Sequence, residues 1–175
     1  MARLTYPSEA AASAEFQSTY KQIRERGGKV LNLFKIMSYS PEVGRQFLQL
    51  GNAILFKGVV PKTLRELAIL RVGNLYSASY EWTQHVTIAL RVGVRQSQID
   101  ALPYWLNSPE FDDQEKAVLR YTDEVTLQIR VTDEAFAAAR SFLNEEAIVE
   151  LTTAISYYGM VCRILETLQV ELEQE

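Results

Sequence analysis

Hydrophobic residues recur along most of this 175-residue chain at intervals of three and four, and no segment alternates cleanly at a spacing of two. Intervals of three and four place side chains on one face of an α-helix, whereas a half-buried strand needs a period of two. The clearest example is the hydrophobic face of the last helix: Ile148, Leu151, Ile155, Tyr158, Cys162 and Leu165. The pattern therefore predicts an all-α fold.

Glycine, proline and polar capping residues separate the helical segments and set their predicted ends. We predict a short apolar element at 30–37 and helices over about 9–26, 41–57, 61–75, 79–93, 96–102, 112–125, 132–142 and from 144 onward. No linker, repeat or low-complexity tract interrupts this series. Residues 1–175 are therefore expected to form a single domain of about seven to eight helices.

Several of these helix ends have specific capping residues. Asp112 followed three residues later by Glu115 is the sequence of a capping box, and Thr132 is a suitable first cap for the next helix. Gly93 is expected to end a helix in the left-handed conformation that glycine tolerates. Ser77 or Ser79 is expected to cap the helix 79–93.

Three ionisable side chains lie in the most hydrophobic part of the chain, residues 64–94. Glu81 and His85 are four residues apart, which places them one turn apart on the same helix face. Glu66 lies in a segment that is hydrophobic on nearly every side, which predicts a buried helix and a carboxylate that needs a partner. If the helices 61–75 and 79–93 pack antiparallel, His85 or Glu81 is placed to be that partner.

Each of these residues also has an explanation that requires no function. A lone histidine on an apolar face is more often a core residue than a catalyst. Glu81 in a first helical turn gains roughly 0.3–1 kcal/mol from the helix dipole, and Glu66 could pair with Lys62 one turn earlier. Taken together, however, two carboxyls in different environments with a histidine near neutrality between them form a proton-transfer set. Glu66, Glu81 and His85 are therefore the predicted catalytic residues.

The neighbouring aromatic residues Tyr80 and Trp82 are predicted to contact a substrate, with the Tyr80 hydroxyl as a polar group in the pocket. A divalent metal ion on Glu66, Glu81 and His85 is a weaker interpretation, because facial sites of this kind usually carry two histidines. We therefore predict neither a metal nor a cofactor.

Composition narrows the class of protein further. A net charge of −4 and a pI near 5.2 give no basic surface for nucleic acid or an anionic membrane. No apolar run of membrane-spanning length and no signal-peptide pattern is present, so a cytoplasmic location is expected. The single cysteine, Cys162, excludes an internal disulfide and a CxxC redox pair, and its place on a hydrophobic helix face predicts a buried, unreactive thiol.

The central residues resemble a known family. The pattern Leu64-Arg65-Glu66-Leu67, then Tyr80-Glu81-Trp82, His85, Ala89 and Gly93, is similar to the carboxymuconolactone decarboxylase family, which has the alkylhydroperoxidase D-like fold. The similarity extends over most of the chain, from about residue 6 to 168. It implies an all-helical fold that assembles into trimers or hexamers.

The resemblance also implies what chemistry is retained. The peroxidase branch of the family carries a CxxC pair, served by a proton relay from a glutamate and a histidine. The relay positions match Glu66 and His85, but Ala78 and Glu81 occupy the two cysteine positions. Without a thiolate the redox reaction is lost, whereas the decarboxylase branch requires proton transfer on a γ-lactone diacid.

We therefore expect a homo-oligomeric enzyme that decarboxylates, dehydrates or isomerises a small lactone or organic acid. The alternatives are a non-catalytic binding or scaffold protein, and a peroxidase-like protein that lacks the catalytic cysteines. An acidic substrate would require an arginine, which Arg65, Arg71 or Arg163 could supply.

The first testable prediction concerns assembly. The last helix carries hydrophobic residues on more than one side and the resembled family oligomerises, so light scattering after size exclusion should give a trimer or hexamer. A monomer of 19.9 kDa at micromolar concentration would contradict this prediction.

Overall fold

The computed structural model describes residues 1–173, and every regular element in that range is a helix. Two are short 3-10 helices, Glu9–Ala11 and Leu102–Asn107. The α-helices of the described range are α1 (Ala14–Glu25), α2 (Asn32–Met37), α3 (Pro41–Phe56), α4 (Lys62–Leu75), α5 (Ser79–Val92), α6 (Gln96–Ala101), α7 (Asp113–Gln128), α8 (Asp133–Arg140) and α9 (Glu145–Leu168). The all-α prediction is confirmed. The nine α-helices exceed the predicted seven to eight because the short apolar element predicted at 30–37 is also helical, as α2.

Three predicted helix ends are confirmed. Asp112 accepts a hydrogen bond from the Glu115 amide at 2.8 Å, and Glu115 accepts one from the Asp112 amide at 3.0 Å, which completes a capping box on α7. The Thr132 hydroxyl accepts from the Ala135 amide at the start of α8. Gly93 ends α5 with a left-handed φ of 106°.

The predicted first helix over 9–26 is wrong in its extent. It is divided into the 3-10 helix Glu9–Ala11 and helix α1, because Ser13 acts as a new N-cap and accepts from the Phe16 amide. A serine in this position favours a helix start over helix continuation.

The predicted serine cap on α5 is also wrong. The N-cap residue is Ala78, which makes no side-chain capping bond. Ser77 has a left-handed φ of 53° and closes the end of α4 instead, because the Ser77 and Ala78 amides donate to the carbonyls of Asn74 and Gly73. This pair of bonds is the Schellman arrangement, which uses Ser77 to end one helix before the next begins.

The described chain forms two compact units, and a single domain over 1–175 remains a prediction. The first unit consists of Met1–Phe56 together with the C-terminal stretch from Leu165. Within it, the buried rings of Phe16 and Tyr20 pack edge to face at 5.8 Å. Gly44 is required here, because a Cβ atom at this position would lie 2.4 Å from the Met37 carbonyl oxygen and 2.6 Å from the Phe16 ring.

The second unit, Lys57–Ile164, is organised around α4. All ten residues of α4 from Leu64 to Gly73 are buried, as the hydrophobic pattern predicts. Its hydrophobic side chains join one core with residues of α5, α6, α7 and the second 3-10 helix: Leu67, Leu70, Ala89, Val94, Ile99, Leu102, Trp105, Phe111 and Leu119.

The buried charge of Arg71 on α4 is compensated by α7. The guanidinium donates to both carboxylate oxygens of Asp123, at 2.6 and 2.9 Å, and also to the Asn74 side chain and the Leu102 carbonyl. Trp105 donates its indole N–H to the same carboxylate at 3.1 Å. This network connects α4, α7 and the second 3-10 helix through a satisfied buried ion pair.

Helix α9 is long and apolar enough to span a bilayer by length and composition, which differs from the sequence-based expectation. The sequence-based expectation rested on an uninterrupted apolar run, and α9 contains none. Few charged residues interrupt the helix, however, so its mean hydropathy is still high. More than half of its most apolar stretch is buried within the protein, as in the core helix of a soluble protein.

Candidate active site

Glu66, His85 and Glu81 come together as one buried row. Glu66 projects from α4, and the other two project from the first two turns of α5. His85 Nδ1 lies 2.7 Å from Glu66 Oε2, and His85 Nε2 lies 3.0 Å from Glu81 Oε1. The side chains are 0%, 4% and 6% exposed for Glu66, Glu81 and His85, so the row is shielded from solvent.

The two carboxyl groups are bonded differently. Glu66 is hydrogen-bonded through both of its oxygens, because Oε2 faces His85 and Oε1 accepts from Arg65 Nε and Nη2 at 3.2 and 3.1 Å. Glu81 Oε1 is close enough to His85 for an ion pair, but the direction of approach does not make a hydrogen bond. Among residues 1–173 this oxygen is buried without a hydrogen-bond partner.

Arg65, which the sequence analysis named only as a possible partner of an acidic substrate, is instead a member of the buried cluster. It is buried at 4% exposure and pairs with Glu66 on the same helix. With both carboxyls ionised and His85 protonated, the charges of Arg65, Glu66, Glu81 and His85 sum to zero. A neutral sum lowers the free-energy cost of burying four ionisable groups, because each charge has an opposite charge beside it.

His85 is protonated at neutral pH. Burial alone would lower its pKa, but the charge of Glu81 and the hydrogen bond and charge of Glu66 outweigh that effect and raise the pKa to about 9. The expectation of a histidine near neutrality is therefore corrected, because sequence spacing could not show that carboxyls would contact both ring nitrogens. The resting ring is an imidazolium with a carboxyl oxygen within 3.0 Å of each ring nitrogen.

Two tyrosines of α9 form one wall of the site. The ring of Tyr158 meets the His85 ring edge to face, with centroids 4.8 Å apart and planes at 80°, and Tyr157 packs against Tyr158 at 5.2 Å. Burial raises the pKa of both phenols, and the negative charge of Glu81 raises each further. Both therefore remain neutral phenols, and their sequence positions had indicated only packing.

The two predicted substrate-contacting residues lie in different environments. Tyr80 is buried at 4% exposure. Trp82 is partly buried, packs against the hydrophobic core and lines a cavity of about 260 Å³ at the turn between α4 and α5. Tyr80 does not line that cavity.

Metal binding is not favoured by the arrangement of these residues. Across residues 1–173, no three His, Cys, Asp or Glu side chains are placed so that they could hold a metal ion. At His85 the reason is direct, because each ring nitrogen already faces a carboxyl oxygen and a metal would need a ring nitrogen lone pair.

Part of the chain matches the model of a known protein family. Residues 41–124, which include all of α3, α4 and α5, match the model of the Carboxymuconolactone decarboxylase family. The uncharacterised protein YdfG of Bacillus subtilis (strain 168) is 28% identical over 107 residues, which cover 60% of this chain and 73% of YdfG.

Two solved structures share the fold. A peroxidase-related protein of Ralstonia eutropha JMP134 with an alkylhydroperoxidase AhpD core superposes with a TM-score of 0.87 at 19% identity, covering 99% of this chain and 93% of that one. The debrominase Bmp8, as a cysteine-to-alanine variant in complex with 2,3,4-tribromopyrrole, superposes with a TM-score of 0.82 at 18% identity, covering 99% and 94%. The alkylhydroperoxidase D-like fold predicted from the sequence is thereby confirmed.

The protonation of His85 can be tested directly, because it is the only histidine in the chain. Its ring resonances, followed by NMR as a function of pH, should titrate near pH 9. Because the folded pKa lies above the ordinary 6.5, protonation stabilises the fold fully below pH 6.5, and that contribution is lost as the pH rises to about 9. The loss is on the order of 3 kcal/mol. A midpoint near 6.5 in the folded protein would contradict the electrostatic description.

Cys162 provides a second test. Its side chain is 1% exposed, so a thiol reagent should react slowly with native protein and rapidly after denaturation. The protein should likewise show no thiol-dependent turnover of peroxides. Fast labelling of the native protein together with peroxide turnover would refute both statements.

Proposed function

We propose that this chain, which matches the carboxymuconolactone decarboxylase family over residues 41–124, is an enzyme that transfers protons on a small lactone or organic acid. Decarboxylation, dehydration and isomerisation are the reactions of this class. The observation that carries the proposal is the buried row of Glu66, His85 and Glu81, with a protonated ring between two carboxyls.

His85 is the proposed proton donor. A pKa of about 9 keeps the ring protonated at neutral pH, so it is prepared to give a proton rather than to take one. In a decarboxylation, the bond to the departing carboxylate carbon breaks and its electron pair stays on the remaining carbon, which must then be protonated. An imidazolium supplies that proton, and the neutral ring that results can later be reprotonated.

Glu66 is proposed to position His85 rather than to exchange protons itself. Its contact with Nδ1 at 2.7 Å fixes the ring, and the two bonds from Arg65 fix Glu66 in turn. With Nδ1 committed to this bond, Nε2 is the nitrogen that can exchange a proton with another group.

Glu81 is the proposed second proton carrier. Its Oε1 lies 3.0 Å from Nε2 but accepts no hydrogen bond, so the oxygen is available at the reactive side of the ring. The oxygen therefore contributes its charge to the cluster, through the ion pair with Nε2, but no well-directed hydrogen bond.

A structural role is the second candidate, because Arg65, Glu66 and His85 do form a satisfied buried network. Such networks can specify a fold without catalysis. The difference between the two candidates lies at Glu81, whose orphan oxygen contributes no hydrogen bond to that network.

A cysteine peroxidase reaction is not supported. Ala78 and Glu81 occupy the positions that correspond to the cysteine pair of the peroxidase branch, and Cys162 is buried in α9. The redox step needs a thiolate that can reach a peroxide.

We also propose that the protein is a cytoplasmic homo-oligomer, a trimer or hexamer. Val149 and Met160 on α9 are 64% and 40% exposed. Hydrophobic side chains on the outer side of a long helix are consistent with burial by a second copy.

Paired variants distinguish a catalytic role of the buried cluster from a purely structural one. Glu66→Gln should lower the free energy of unfolding by about 3 kcal/mol, because it disturbs bonds to Arg65 and His85. Glu81→Gln should lower it by a similar amount, because it leaves the buried His85 cation without the carboxylate whose charge does most to raise the His85 pKa. Activity on a panel of γ-lactone diacids, followed by release of carbon dioxide, should fall roughly 10²–10⁴-fold in Glu81→Gln.

Glu124 offers a matched control, since it is a buried glutamate outside the site. It accepts from the Thr132 amide and hydroxyl at 2.7 and 2.9 Å, so Glu124→Gln should lose stability while the folded protein keeps its activity. Denaturant titrations measure the stability of each variant, and rates per folded molecule measure its activity. If Glu81→Gln keeps its activity per folded molecule as Glu124→Gln does, or wild type is inactive on the whole panel, the scaffold interpretation replaces the enzyme.

A further inference from the structure

A second cavity, of about 410 Å³, lies in the second unit beside α7 and α9. Glu66, Glu81 and His85 do not line it. Its walls combine hydrophobic side chains, among them Val125 and Ile155, with the polar groups of Thr126 and Arg163. This size and this mixture are typical of sites for small organic ligands.

Arg163 differs from the other two arginines that an acidic substrate could use. Arg65 pairs with Glu66, and Arg71 pairs with Asp123. No carboxylate of residues 1–173 lies within ion-pairing distance of Arg163. The Arg163 guanidinium is thus exposed to solvent at the edge of this cavity, with no carboxylate partner among the described residues.

The Arg163 guanidinium is nevertheless held in a defined position. It lies over the Tyr76 ring at 4.8 Å, and its Nη2 donates to the Tyr76 hydroxyl at 2.6 Å while Nη1 donates to the Gly159 carbonyl at 3.0 Å. Gly159 makes room for this arrangement, since a Cβ there would lie 3.2 Å from Nη1. A guanidinium has more N–H donors than these bonds use, so donors remain for an anion.

Thr126 supplies a second polar group in the same cavity. Its hydroxyl oxygen is buried and has no hydrogen-bond partner in the described range. The hydroxyls of Thr122 on α7 and Thr152 on α9 donate to the carbonyl four residues earlier, at 2.7 Å each. Thr126 does not follow this usual helical pattern, which leaves its hydroxyl unsatisfied at the cavity wall.

Ile129 lies at the rim of the cavity in an unusual backbone conformation. It has a left-handed φ of 67° at the end of α7, and its side chain is 87% exposed. A β-branched residue in this region is a genuine outlier, and such outliers tend to mark functional sites. The exposed side chain extends the hydrophobic wall of the cavity outward.

We propose that this cavity is a binding site for a small organic carboxylate with a hydrophobic body. The carboxylate would pair with Arg163, the hydrophobic body would contact Val125, Ile129 and Ile155, and the Thr126 hydroxyl would bond a polar atom of the ligand. A single guanidinium among hydrophobic walls suits one carboxylate better than a highly charged phosphate. The site is independent of the proton-transfer chemistry proposed above, and its test requires no turnover.

Calorimetric titration with 4-phenylbutyrate tests the site. Two control probes each lack one feature: 4-phenylbutanamide lacks the charge, and inorganic phosphate lacks the hydrophobic body. The carboxylate should bind at least about tenfold more tightly than either, because the amide loses the charge-assisted bond to Arg163 and phosphate loses the hydrophobic contacts. Arg163→Gln should abolish the preference over the amide. Arg91→Gln, which alters an exposed arginine that does not line the cavity, should leave binding unchanged.

Thr126→Val keeps the shape of the wall and leaves Arg163 in place, so it tests the site even if Arg163→Gln does not fold by circular dichroism. It should weaken 4-phenylbutyrate binding about threefold or more. Equal binding of the acid and the amide, or full binding to both cavity variants, would overturn the proposal. A further contradicting result would be that wild type binds no ligand and that Arg163→Gln changes the oligomeric state. The cavity would then be a contact between copies of the chain.

Discussion

The burial of helix α4 is the constraint on which the second unit depends. Ten consecutive residues of this helix are buried, and three of them, Arg65, Glu66 and Arg71, carry charge. A charge removed from water must find an opposite charge, and on α4 those partners come from α5 and α7 as well as from the helix itself. His85 pairs with Glu66, and Asp123 pairs with Arg71. The hydrophobic core thus fixes the position of α4, while its charges determine how α5 and α7 must be oriented.

The sequence predicted those parts of the structure that depend on local pattern. The capping box at Asp112, the glycine end at Gly93 and the buried character of α4 follow from rules that act over a few residues. The contact of Glu66 with His85 was foreseen as one option, because a buried carboxylate had few partners within reach. The Ser77 assignment failed because two signals overlapped, and the turn used the serine to end α4 before it could cap α5.

The electrostatic character of the site could not be obtained from spacing. The raised pKa of His85 requires carboxyls at both ring nitrogens, and the orphan oxygen of Glu81 depends on an angle rather than on a distance. The pairing of Arg65 with Glu66 was missed for another reason, since an arginine in a helix is usually solvated and only burial reveals its partner. The fold is shared with a peroxidase-related protein and a debrominase, so the fold by itself does not specify a reaction.

Ile129 has a strained backbone conformation at the end of the otherwise regular helix α7. A left-handed backbone conformation at a β-branched residue costs on the order of 1–2 kcal/mol, and glycine or asparagine would adopt it with less strain. A sequence optimised for thermal resistance alone would therefore replace the isoleucine. Its φ of 67°, with a side chain that is almost fully in water, is therefore a backbone strain that no buried contact of the side chain offsets.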